Sequence, residues 1–137
     1  MMIETINDIA AKADIVLPGT GEGKILMGSE KPEEIADFYR KKGAKAVIVK
    51  AGGRGAYADC EEGRAFYPGY KVKTVVDTVG AGDGFAVGVL SAWLEGKSMA
   101  EMADRGNAIG SIQVSVASDN EGLPTREELD TYMKGAR

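Results

Sequence analysis

Histidine is absent from the 137 residues. Without it the chain cannot build Ser-His or Cys-His nucleophile pairs, or His-ligated zinc, from its own residues. Any general base must then be a carboxylate or a lysine. The one cysteine, Cys60, can form no internal disulfide, which suits a reducing, cytoplasmic setting. No apolar run approaches the ~20 residues that a membrane span needs. Met1-Met-Ile-Glu-Thr-Ile lacks a basic region leading into a long apolar stretch, so no signal peptide is expected. Positive charge is outnumbered: 17 Lys and Arg against 21 Asp and Glu leave a net charge of -4. That balance, with no basic run, argues against a nucleic-acid partner. The length suits a single domain over 1–137.

Glycine is plentiful. Its 19 residues are twice the usual ~7%, so many turns must need positive φ or close backbone approach. The order of elements predicts an α/β fold. Ile3, Ile6, Ile9 and Ala10 fall at helical spacing over 3–12, and Asp14 to Leu17 reads as a short buried strand stopped by Pro18. Gly19-Thr-Gly-Glu-Gly-Lys24 is not a P-loop, because Pro18 stands where the first Gly is needed and Ile25 where Ser or Thr is needed. Pro32 suits the first turn of a helix whose apolar side is Ile35, Ala36, Phe38 and Tyr39, ending at Gly43. Ala46 to Val49 is a buried strand. Lys50-Ala-Gly-Gly-Arg-Gly55 forms the loop at its carboxyl end, where open α/β sheets bind ligands. A plain turn into the strand Ala56 to Ala58 explains the same glycines. Glu61 to Arg64 reads as a hairpin turn leading into Ala65 to Tyr67. Ser98 to Glu101 and Thr125 to Glu128 are capping boxes that open two later helices.

The stretch Asp77-Thr-Val-Gly-Ala-Gly-Asp-Gly-Phe-Ala-Val-Gly-Val-Leu90 carries the most chemistry. Gly80, Ala81 and Gly82 leave the backbone uncovered where a helix begins. Helix starts carry partial positive charge, and converging N–H groups there suit phosphate. Asp83, beside that cradle, is placed to take a proton from an attacking hydroxyl. As an alternative, Asp83 is simply a favoured N-cap. The helix after it bears Phe85, Val87, Val89, Leu90, Trp93 and Leu94 on all sides and should be largely buried, with Gly84 and Gly88 permitting close approach to a sheet or ligand.

These fourteen residues closely resemble the C-terminal signature of the ribokinase-like, or pfkB-type, carbohydrate kinases. Asp77, Thr78, Gly80, Ala81, Gly82 and Asp83 fill its diagnostic positions. The resemblance extends over essentially the whole chain, to the C-terminal portion of enzymes usually more than twice as long. It implies a ribokinase-like, Rossmann-type three-layer αβα fold, of which the N-terminal sugar-binding half and lid are absent here. It also implies that Gly80, Ala81 and Gly82 form an anion hole and that Asp83 is the catalytic base and meets the substrate.

Further roles follow from the same resemblance. Glu22 matches the Glu of an Asn-x-x-Glu motif that places Mg²⁺ through water, although Gly19 replaces the Asn. A solvated loop carboxylate is the other reading of Glu22. Gly52 and Gly55 map onto a nucleotide loop, with Lys50 in reach of a phosphate. Asn107 borders the adenine pocket, or else is a satisfied core polar group. Asp77 and Val79 belong to a monovalent-cation site, with K⁺ the candidate ion. Asp119 touches a sugar hydroxyl, or is an ordinary loop acid. Pro18 to Gly23 and the Asn120 to Pro124 ending are similar to the branch that acts on 2-keto-3-deoxygluconate.

The resulting expectation is ATP-dependent, Mg²⁺-dependent phosphoryl transfer to a hydroxyl of a sugar or sugar acid. A second expectation is a non-catalytic nucleotide-binding or oligomeric assembly module derived from such a kinase, with exposed apolar area. A dinucleotide dehydrogenase fits poorly, since Gly80 to Gly84 lacks the Gly-x-Gly-x-x-Gly spacing.

Overall fold

The computed structural model describes residues 2–70, 81–114 and 124–135. They fall into two compact units, Met1–Tyr67 and Pro68–Arg137.

The first unit is built on a sheet of order β1-β2-β3-β4, with β1 Ile15–Val16, β2 Ala46–Lys50, β3 Gly55–Cys60 and β4 Gly63–Pro68. β1 runs parallel to β2, pairing Ile15 with Ala46 and Val16 with Val47. β3 runs antiparallel to β2, from Ala46 opposite Cys60 to Lys50 opposite Ala56. The two-residue connection Glu61-Glu62 makes β4 return as a hairpin, since parallel neighbours need a long crossover. β2 is buried on both faces, which its unbroken run Ala46-Val-Ile-Val49 anticipates.

Three helices accompany the sheet: α1 Met2–Ala11, α2 Thr20–Met27 and α3 Pro32–Lys42. Pro32 opens α3, Glu33 and Glu34 occupy its positive end and Gly43 closes it at φ 121°. Its inner face meets the sheet in a core of Ile35, Ala36, Tyr39, Ala44, Val47, Val49 and Tyr57. Tyr39 is also a polar link. Its hydroxyl donates to Asn7 Oδ1 at 2.7 Å, and Asn7 Nδ2 donates to the Leu26 carbonyl at 2.9 Å. One buried amide thus joins α1, α2 and α3. Burial, with the Glu22 charge as the lesser cause, pushes the Tyr39 hydroxyl pKa upward and keeps it a donor. α1 is the helix expected from its spacing, yet Ile3, Ile6 and Ile9 are exposed and Asn7 is its buried residue.

The second unit contains α4 Ala81–Leu94, α5 Met99–Gln113 and α6 Arg126–Gly135. α4 and α5 touch backbone to backbone. A Cβ added at Gly88 would stand 2.6 Å from the Arg105 carbonyl oxygen, and one at Gly84 2.7 Å from Gln113 Cγ. The close approach foreseen for these glycines is therefore to a neighbouring helix. α4 is not buried all round: α5 covers the side bearing Gly84, Phe85, Gly88, Val89 and Ala92, and Val87, Leu90, Trp93 and Leu94 remain exposed. Of the two later capping boxes, Thr125 and Glu128 bond reciprocally at 3.1 and 3.2 Å, and Ser98 supplies the N-cap half, its Oγ accepting from the Glu101 N–H at 3.2 Å. α6 rests on α5 through Tyr70, Ala108, Ile109 and Leu129.

Candidate functional site

In the first unit the expected residues gather at the carboxyl ends of the parallel pair β1 and β2. Beyond β1 the chain stays in register with β2: the Lys50 N–H donates to the Pro18 carbonyl at 2.8 Å, and Gly19 bridges Lys50 in parallel. Helix α2 then starts at Thr20, so Glu22 does not stand in a loop. Glu22 is consequently a helical residue. Its Oε1 accepts from the Gly19 N–H at 2.8 Å, closing the helix start from the acidic side. Gly19 has no side chain to return the bond. Lys50 Nζ stands 3.9 Å from the same oxygen, with its side chain 26% exposed. This places a half-buried ammonium and a more open carboxylate together above the sheet end.

Gly52–Arg54 make a single 3₁₀ turn after β2. Gly52 and Gly55 take φ of 62° and 127°, values a side chain strains to adopt. The Ala51 N–H donates to the Gly55 carbonyl at 2.9 Å, which pinches the turn shut and leaves Gly52, Gly53 and Arg54 exposed.

In the second unit, Ala81, Gly82 and Asp83 form the first turn of α4. Asp83 lies inside the helix, so it is not its N-cap. Gly82 and Asp83 are exposed. The N–H groups of a first turn have no intrahelical acceptor, and the helix dipole adds positive potential there. This is an anion-binding end with a carboxylate on it. Asn107, on α5, is buried, and its Nδ2 donates to the Pro68 carbonyl at 3.3 Å. Gly80, Asp77, Val79 and Asp119 lie outside the described residues.

The residue types can be matched to the implied groups. Among the described residues no three His, Cys, Asp or Glu side chains cluster as a protein-built metal cage. Mg²⁺ does not require one, because it keeps several waters and takes one or two carboxylates beside substrate phosphates. Glu22, with Oε1 engaged at the helix start and its side chain 62% exposed, fits a role through water. The α4 start fits a phosphate. Among the described residues, no helix is long and apolar enough to cross a membrane.

One feature of the second unit escaped the sequence reading. Glu95, just past α4, accepts from Arg105 Nη1 at 2.7 Å and from Arg126 through both Nη atoms. Arg126, then Arg105, hold its carboxyl well below the usual range, at about 2. The pairs span 10 and 31 residues, beyond the reach of helical i,i+4 patterning.

This architecture is shared with sugar kinases. The chain aligns with a PfkB protein from Polaromonas sp. JS666 at TM-score 0.82 and 49% identity, over 94% of this chain and 40% of that one. It aligns with a putative ribokinase II from E. coli, solved in complex with ATP and Mg²⁺, at TM-score 0.87 and 26% identity, over 96% and 42%. The fold is ribokinase-like, of the α/β class. A family model described as pfkB family carbohydrate kinase matches residues 2–126, and the chain belongs to that family. A curated relative, 2-dehydro-3-deoxygluconokinase of Bacillus subtilis strain 168, is 51% identical over 136 residues, which is 99% of this chain and 42% of the relative. The enzyme of the same name from Thermoproteus tenax is 32% identical over 88% of this chain and 37% of its own. The chain thus spans about two fifths of the length of these curated relatives.

Proposed function

We propose that this chain supplies the nucleotide-phosphate cradle and the general base of an ATP-dependent kinase acting on 2-keto-3-deoxygluconate or a closely similar sugar acid. The observation that carries the reading is the start of α4, where exposed Gly82 and Asp83 share a first turn whose N–H groups have no acceptor within the helix. The substrate is inferred from the 51% identical Bacillus relative and the Pro18 to Gly23 segment.

The α4 turn, with Gly80 to Gly82, holds the phosphate oxygens on its N–H groups. Asp83 takes the proton of a primary hydroxyl as that oxygen bonds to the γ-phosphorus; the bond to the bridging oxygen breaks, and its electron pair leaves with ADP. Lys50 offers a positive charge to the nucleotide phosphates, and the turn at Gly52 to Gly55 lets the nucleotide pass close to the backbone. Glu22 orients water around Mg²⁺, whose chemistry is to neutralise phosphate charge. Asn107 supports the adenine side from α5.

The test is calorimetric titration of the 137-residue chain with a non-hydrolysable Mg-ATP analogue, alongside Asp83→Asn and Gly82→Leu. Binding is expected to survive Asp83→Asn and fail with Gly82→Leu. Turnover is read in a full-length chimera in which this chain replaces the matched part of the Bacillus relative. There Asp83→Asn should lower kcat by about 10²–10⁴-fold. Near-normal kcat in that variant would remove Asp83 from the role of base.

A further inference from the structure

We infer that Asn7 and Tyr39 are positioning residues for Glu22: together they hold α2 from its far end, in the place that presents the Glu22 carboxylate above the sheet. The inference rests on the reading of Glu22 given under the proposed function. α2 cannot hold itself. It has eight residues, and helices shorter than about 12 residues are marginal in water without outside contacts. Its start is tied from one side, through Glu22 Oε1 and the Gly19 N–H, and Gly19 has no side chain to answer. Its place must then come from its neighbours. Gly23, next to Glu22, lies flush against α3: a Cβ there would stand 2.2 Å from Ile35 Cδ1. At the other end, the Leu26 carbonyl is among the last four of the helix, which have no N–H partner inside it. Asn7 Nδ2 of α1 donates to that carbonyl at 2.9 Å. Leu26 stands one turn beyond Glu22, so this bond fixes the rotation and height of the residue that bears the carboxylate.

Asn7 alone would be a loose clamp, because a side-chain amide can turn over and exchange its donor and acceptor ends. Tyr39 of α3 removes that freedom. Its hydroxyl donates to Asn7 Oδ1 at 2.7 Å, which leaves Nδ2 on the Leu26 side. Asn7 and Tyr39 are 7% and 1% exposed, so bulk water does not compete for these bonds. An apolar side chain at position 7 could fill the same space without setting a direction. Burial first, and the Glu22 charge second, push the Tyr39 hydroxyl pKa upward, so the carboxylate is close enough to be felt at the junction. A chain of contacts thus runs from Tyr39 through Asn7 and Leu26 to Glu22. Phenylalanine at position 39 would keep the ring and release the amide. α2 could then shift slightly, and a group that acts on Mg²⁺ through water depends on such outer supports.

The test is calorimetric binding of a non-hydrolysable ATP analogue across a Mg²⁺ series, well below each Tm. It compares the parent chain, Tyr39→Phe, Asn7→Asp, Glu22→Gln and the double variant Tyr39→Phe with Glu22→Gln. Asn7→Asp keeps the acceptor for Tyr39 and sets an oxygen against the Leu26 carbonyl, so it loosens α2 by a second route. Tyr39→Phe and Asn7→Asp are each expected to raise the Mg²⁺ concentration for half-maximal binding by about three- to tenfold, less than the ~10–100-fold typical for partners of direct metal ligands. Affinity without Mg²⁺ should not change, because the α4 cradle keeps its own residues. In the Glu22→Gln background Tyr39→Phe should add nothing, since the carboxylate it positions has gone. If Glu22→Gln raises the Mg²⁺ requirement and neither Tyr39→Phe nor Asn7→Asp does, the positioning role alone is overturned. It is also overturned if the Tyr39→Phe and Glu22→Gln effects multiply, or if binding weakens equally with and without Mg²⁺, which is what general loosening of the fold would give. Analogue binding that ignores Mg²⁺ in the parent, or a Glu22→Gln variant with an unchanged requirement, removes the reading of Glu22 and the positioning role with it.

Discussion

Glu22 has a structural post that can be separated by mutation from the chemical one proposed for it. Its Oε1 caps Gly19 and faces Lys50 at 3.9 Å. Glutamine keeps the capping acceptor and removes the charge; alanine removes both. Glu22→Ala should therefore cost about 0.5–1 kcal/mol in urea unfolding, and Glu22→Gln much less. If Glu22 also organises Mg²⁺ waters, Glu22→Gln should raise the Mg²⁺ concentration needed for nucleotide-analogue binding without shifting the urea midpoint. A Gln variant with an unchanged Mg²⁺ requirement would leave Glu22 as a cap alone. Tyr39 offers the complementary case of a buried hydroxyl that meets no reactant. Tyr39→Phe leaves Asn7 Oδ1 without its donor inside the α1, α2 and α3 junction, and should cost about 1–3 kcal/mol by thermal melting.

Among the elements, the α4–α5 contact depends on the absence of side chains. A methyl at Gly88 would meet the Arg105 carbonyl and Gly106 Cα at 2.6 and 2.7 Å, both backbone atoms that cannot swing aside. Gly88→Ala gains about 1 kcal/mol of helix propensity and still should destabilise by about 1–3 kcal/mol net, because the helices must part. Gly21→Ala in α2, where nothing lies within 4 Å of the new methyl, should instead be neutral or stabilise by up to about 1 kcal/mol. Opposite signs for the two in the same unfolding assay are the check. These elements also show what the sequence made legible. Pro32, Gly43, Ser98 and Thr125 mark helix ends through local chemistry, and the Ala46 to Val49 run marks a two-sided strand, so each was readable from its neighbours alone. The exposed side of α4 was not, because an apolar helix looks the same whether its cover lies in the chain or beyond it. Helix α2 was not foreseen, for a local reason: three glycines in Gly19 to Gly23 suggest a loop, while the Glu22 cap and the packing of Gly23 on Ile35 favour helix.

Over the whole molecule, net charge is -4, so acid titration removes negative charge and relieves repulsion among carboxylates. On that ground alone, mild acid should not unfold the chain. Glu95 works the other way in the second unit. It joins the end of α4 to Arg105 of α5 and Arg126 of α6, contacts between residues far apart in sequence. Its folded pKa of about 2 lies below the ordinary 4.5. The unfolded state therefore binds the proton first, and the stabilisation is fully present above about pH 4.5 and lost as pH falls towards 2. Glu95→Gln keeps the shape and loses the charge. Its stability deficit relative to the parent should be constant from neutral pH to about 5, then shrink as the parent loses its own advantage. Thermal melts of both proteins at a series of pH values measure the difference directly. A gap that stays constant down to pH 2.5 would mean that the two arginines hold Glu95 no better folded than unfolded.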